Sequence, residues 1–136
     1  MRKERVIPRG IRNNNPLNIR IGNVWLGEVP NPTDKSFEQF VRMEYGIRAA
    51  CVLLRRYIRR YGRNTITSIV SAWAPSSENN TIAYIDKVSQ LSKVAADTPI
   101  KYEDKETMCA IIGAMCFVEN GQSVSEAAIS KGYDLA

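Results

Sequence analysis

The run Met108-Cys109-Ala110-Ile111-Ile112-Gly113-Ala114-Met115-Cys116-Phe117-Val118 is apolar nearly all the way round a helical circumference. A helix of that kind has no face to give to water, so it belongs in the middle of a bundle. Asp104 is a natural N-cap before it and Gly121 a natural stop after it, which predicts a helix over about Lys105 to Val118. The rest of the chain has to provide its cover.

The covering elements are legible upstream and downstream. Ile47, Ala50, Cys51, Leu54, Ile58 and Tyr61 recur at helical spacing, predicting a helix over about Gly46 to Tyr61 that stops at Gly62. A second helix is expected over about Thr65 to Trp73, ahead of Pro75. A third begins near Asn80 and carries Ile82, Ile85 and Val88 through to Leu91. Val94 to Tyr102 reads as a loop or short helical turn. Ser123-Val124-Ser125-Glu126 reads as a capping box opening a final helix to about Ser130.

The first forty residues are of another kind. Residues 1–9 read as a loose basic arm. Asn13-Asn14-Asn15-Pro16-Leu17-Asn18 is dense in turn formers. Short extended pieces, Asn18 to Ile21, Val24 to Leu26 and Ser36 to Val41, are separated by Gly22, Gly27 and Pro30-Asn31-Pro32. The expected architecture is therefore mainly α, or α+β, with a small irregular β-lobe near the N-terminus. Residues 10–136 form a single domain, since 136 residues is close to the usual domain size and no repeat or linker divides them.

Histidine is absent, which excludes a Ser-His-Asp or Cys-His catalytic unit and a histidine-based zinc site. Cys51, Cys109 and Cys116 are odd in number, lack CxxC spacing and sit in helical apolar patterns, so they read as buried free thiols. Neither a metal nor a cofactor is expected. Chemistry, if there is any, falls to carboxylates.

Charge is divided unevenly along the chain. Every arginine lies at or before Arg63, whereas Asn64 to Ala136 holds five lysines against nine acids. The net +5 is therefore a basic half suited to an anionic partner such as nucleic acid, teichoic polymer or cell wall. No apolar run approaches the ~18 residues of a membrane span. The basic N-terminus has no apolar stretch behind it, so it reads as no signal peptide and the chain as made in the cytoplasm.

Four features carry candidate chemistry, each with a plainer alternative. Glu119 follows the most apolar helix directly. Burial and the C-terminal end of a helix dipole both favour the protonated form of a carboxyl there, which is what a glycosidic general acid requires. The alternative is a side chain that tops a helix in water. The Asn13–Asn18 turn offers amides that suit sugar hydroxyls and N-acetyl groups, or it is simply a turn. Trp73, Glu78, Asn79, Asn80 and Tyr84 combine aromatic faces, a carboxylate and amides in a carbohydrate-binding mixture, although Asn80 also suits a helix N-cap. Arg55, Arg56, Arg59 and Arg60 flank an apolar stripe; they suit phosphates, or they are snorkelling arginines on a solvated face.

These pieces resemble a known family. Residues 105–136, with Ala110 to Gly121 and Glu119 within them, resemble the catalytic helix of lytic transglycosylases and lysozyme-like muramidases. Asn15-Pro16-Leu17-Asn18-Ile19, Phe37, Phe40, Gly46, Trp73 and Tyr84 resemble peptidoglycan glucosaminidases and phage virion proteins of lysozyme-like fold. The acid helix comes last instead of first, as if the fold were circularly permuted. The resemblance implies a lysozyme-like bundle that cleaves the MurNAc–GlcNAc linkage, with Glu119 as acid/base. Tyr84 and Asn79-Asn80 would then stand across a cleft floored by Asn15 and Asn18. Asn120 departs from the serine usual after the acid, and no second carboxylate is evident. Single-acid enzymes in which the substrate's N-acetyl group assists accommodate that absence.

The resemblance also implies partners and place: peptidoglycan strands, other virion proteins, and residence in a virion or release to the periplasm or wall by a holin. A non-enzymatic virion structural protein of the same fold is the alternative. Nucleic-acid binding through the arginine-rich helix is a third reading, ranked last because no nucleic-acid motif accompanies it.

Overall fold

The computed structural model describes residues 6–77 and 79–136. Among these residues six helices follow one another: α1 Arg9–Arg12, α2 Met43–Tyr61, α3 Ile66–Trp73, α4 Thr81–Ser92, α5 Lys105–Asn120 and α6 Glu126–Leu135. The protein is mainly helical.

The apolar run forms α5, and α5 packs against α1, α4 and α6. Met108, Ile111, Ile112 and Met115 are fully buried at the heart of the core. Asp104 caps the helix by accepting from the Thr107 N–H at 3.3 Å, and Gly121 ends it in the left-handed conformation at φ 68°. The helix therefore continues through Glu119 and Asn120, two residues beyond the expected end. That puts both side chains on the last helical turn.

α2 buries Ile47, Ala50, Cys51 and Leu54 and lies on α6 and α3. Its close approach to α6 is made at Gly132, where any Cβ would run into the Ile47 side chain. This packing explains why α6 reaches Leu135 and does not stop near Ser130. The N-cap of α6 is Ser125, which accepts from the Ala128 N–H at 3.2 Å, so Ser123 does not open the helix as the sequence pattern suggested. A reciprocal capping box does occur, at Thr65 and Ser68 of α3. Of the three free cysteines, Cys51 and Cys116 are buried and Cys109 is half-buried. Burial pushes the Cys51 thiol up to about 12, with a smaller push from Cys109.

Among the described residues, the N-terminal lobe contains two isolated antiparallel bridges, Arg20 with Phe37 and Glu28 with Phe40, and no longer strand. Main-chain bonds from Glu38 N–H to Ile19 O and from Ile21 N–H to Ser36 O link two of the expected extended pieces. The lobe hangs on the asparagine turn. Asn15 is fully buried, and its amide donates to Ile19 O at 2.9 Å and Glu38 O at 3.0 Å. Asn14 and Asn18 adopt left-handed backbones, φ 53° and 52°, which asparagine tolerates better than most residues. The turn also seats on the start of α2, where Gly46 is required because a Cβ would drive into the Asn14 carbonyl oxygen. The first five residues of the expected basic arm lie outside the described residues. Arg9, its last residue, opens α1 and pairs with Asp34.

Candidate functional site

Glu119 reaches the turn across 101 residues of chain. Asn18 Nδ2 donates to Glu119 Oε1 at 3.0 Å. Next to it, Asn120 Nδ2 donates to Pro16 O at 2.7 Å and to Cys116 O at 2.9 Å, which ties the helix end to the turn. Asn120 therefore acts as a structural clamp.

A groove of about 380 Å³ opens at this junction, with Glu119, Asn18 and Leu17 on one side and Trp73, Ala74 and Asn79 around it. Arg20 and Phe37 complete the lining. Trp73 is half-buried and packs edge-on against Tyr57, with centroids 6.1 Å apart, so the indole is held in place. A larger groove of about 690 Å³ runs between α5 and α6 past Lys105, Cys109 and Ile129. Among the described residues no side-chain amide lines it, and it lies apart from the Glu119 junction.

The other residues singled out in the sequence divide by burial. Tyr84 rises from the first turn of α4 but is only 7% exposed, so it stands behind Glu119 and does not face a ligand across a cleft. Burial, and then the Glu119 charge, raise its phenol above the ordinary range. Its hydroxyl lies within reach of the Glu119 carboxyl yet makes no well-formed hydrogen bond among the described residues. Asn15 does not floor the groove: its amide is consumed by backbone groups of the lobe. Asn80 is the N-cap of α4, accepting from the Ala83 N–H at 3.1 Å, as its alternative reading had it. Glu78 lies outside the described residues.

Arg20 and Phe37 were not legible as site residues. Their antiparallel bridge places them side by side, and only the pairing of two loop segments brings them to Glu119. The Arg20 guanidinium carbon sits 5.0 Å from the Phe37 ring centroid and that of Arg9 sits 4.5 Å from the same ring. Arg9 is itself fixed by two bonds to Asp34, at 2.6 and 2.7 Å.

A carboxyl pair lies in the lobe, Glu28 with Glu38, each with one buried oxygen that lacks a hydrogen-bond partner among the described residues. Burial first, and then the Glu28 carboxyl beside it, push Glu38 up to about 7. Neither residue lines the Glu119 groove. No group of three or more His, Cys, Asp or Glu with metal-holding geometry occurs among the described residues.

The arginine-rich helix spends much of its charge internally. Arg55 and Arg59 lie over the Tyr102 ring, at 5.3 and 5.5 Å, and Arg59 also pairs with Glu103. Arg63 donates to Ser68 O at 2.9 Å and Arg48 to Leu135 O at 3.2 Å. No described helix is long and apolar enough to cross a membrane.

Fold and site together define a mainly α-helical protein whose central helix ends in a carboxylate held by an amide at the rim of a polar groove. No protein-family model matches the chain. Over 131 residues it is 38% identical to Protein P5 of Pseudoalteromonas phage PM2, a match that covers 93% of this chain and 80% of that protein. The chain belongs to the family of this phage protein.

Proposed function

We propose that this is a phage-derived, lysozyme-like protein, circularly permuted relative to lytic transglycosylases, that cleaves the MurNAc–GlcNAc linkage of peptidoglycan with Glu119 as acid/base. The observation that carries this reading is the Asn18–Glu119 pairing in a groove flanked by Trp73 and Asn79. Amides at Asn18 and Asn79 offer donors and acceptors to a sugar, and Trp73 offers an aromatic face. The Asn18 amide donates to one carboxyl oxygen, leaving the other to handle the proton of a leaving group.

No second carboxylate lines the groove among the described residues, and a conventional pair is what inverting and retaining glycosidases use. The reading therefore takes the single-acid route, with the substrate's own N-acetyl group assisting. Kinship with a phage protein fits residence in a virion, where peptidoglycan strands and other virion proteins are the partners. The test is turbidity of purified peptidoglycan. Clearing by the wild type and none by Glu119→Gln is expected; no clearing by the wild type, or equal clearing by both, overturns the reading.

One carboxylate among the described lining residues also favours a second reading, a virion structural protein that binds glycan in this groove without cutting it. Retained binding with no soluble product would distinguish it. Nucleic-acid binding has less support, because Arg48, Arg55 and Arg59 of α2 are engaged by Leu135, Tyr102 and Glu103, and Arg63 just beyond it by Ser68. Its mark would be retardation in a low-salt gel shift that vanishes as salt rises.

A further inference from the structure

We propose that Arg20 reads a carboxylate carried by the glycan in the Glu119 groove, and so decides for an anionic over a neutral sugar chain. The inference rests on the glycan reading of the groove and adds its substrate class. Arg20 and Glu119 line the same groove, so a ligand at the acid lies alongside the guanidinium.

The support for that guanidinium is layered. Arg20 lies over one aromatic ring, Phe37, and is bridged to it through the backbone. Arg9 lies over the same ring and is pinned by two bonds to Asp34. Asp34 in turn accepts from Asn13 Nδ2 at 2.9 Å and from the backbone N–H groups of Ser36 and Phe37. The Arg9 guanidinium first, and then those donors, hold its carboxyl well below the usual range, so it stays ionised and Arg9 stays occupied.

Arg20 itself is different. It is exposed, and among the described residues it makes no salt bridge and no side-chain hydrogen bond. The carboxylate in its groove, Glu119, is bonded by Asn18. A planar fork with free donors, oriented by an aromatic face, matches the two oxygens of a carboxylate. On a peptidoglycan strand that carboxylate belongs to the lactyl ether of the sugar or to the stem peptide.

The experiment measures binding by calorimetry in the Glu119→Gln protein, so that nothing is cleaved. Three probes are compared: chitotetraose, which is neutral; a peptidoglycan tetrasaccharide stripped of peptide, with free lactyl carboxylates; and the same tetrasaccharide with its stem peptides. At least one anionic probe should bind about tenfold tighter than chitotetraose, and which one does so identifies the source of the carboxylate. Adding Arg20→Gln should remove most of that preference. Arg20→Lys, which keeps the charge and loses the fork, should restore only part of it. Equal weakening for neutral and anionic probes, or none, overturns the proposal while leaving the glycan site intact. Failure of all three probes to bind the Arg20-containing protein overturns the glycan reading itself and this inference with it. Coincident thermal melts of the variants separate either result from misfolding.

Discussion

Asn18 and Glu119 are 101 residues apart in the chain, and their side chains meet at 3.0 Å. One residue sits on a left-handed turn and the other on the last turn of the central helix. Asn120 to Pro16 O, at 2.7 Å, repeats the crossing one residue further on. Two adjacent long-range bonds between the same two segments hold the groove's wall at a defined distance from its acid.

Asn18 does two things, and two substitutions separate them. Asn18→Gly keeps the left-handed backbone and deletes the amide; Asn18→Ala deletes the amide and also places a Cβ at positive φ. Alanine should destabilise by about 1–2 kcal/mol more than glycine in urea denaturation. Both should reduce clearing of peptidoglycan to a similar degree. Full activity in Asn18→Gly would remove the amide from the mechanism.

Tyr84→Phe reports on the hydroxyl behind Glu119. A buried hydroxyl without a good partner costs stability, so its removal should be neutral or stabilising by up to about 1 kcal/mol, read as an unchanged or slightly higher melting temperature. A loss of more than about 1 kcal/mol would mean that the hydroxyl bonds Glu119 in solution.

Gly46→Ala should be among the most damaging single-methyl changes in the protein. The added carbon meets the Asn14 carbonyl, which is backbone and cannot swing away. A loss of about 3 kcal/mol or more is expected, with the chain partly insoluble. Ala49→Gly, three residues along the same helix, should cost about 1 kcal/mol plus the small cavity it leaves. Equal effects at the two positions would contradict the close approach.

The Glu28–Glu38 pair makes stability depend on pH in an unusual direction. A buried carboxyl raised to about 7, from an ordinary value of 4.5, keeps a proton that the unfolded chain releases. Its contribution is therefore full below about pH 4.5 and is lost as pH rises to about 7. Glu38→Gln should flatten this part of the profile and stabilise the protein at pH 8 by about 1–3 kcal/mol relative to wild type. Parallel denaturation midpoints for the two proteins from pH 4 to 8 would exclude a raised Glu38 carboxyl.

Much of the helical framework is written locally. The apolar circumference of residues 108–118, the caps at Asp104 and Asn80, and the stops at Gly62 and Gly121 act over one or two helical turns, so they can be read along the chain. Where such reading slipped, at Ser123 and at the end of α6, packing decided: Gly132 lets α6 run on against α2. Glu119 was also visible in the sequence as the one carboxylate at the end of the most apolar helix. The resemblance also set Asn18, Asn79 and Tyr84 beside it, but not what each of them does there. That Asn18 faces it while Asn15 is buried three residues earlier, that Tyr84 backs it, and that Arg20 and Phe37 share its groove all depend on contacts between distant segments. Asparagines in one turn look alike in sequence, and long-range hydrogen bonds, which leave no periodic trace, give each a different task.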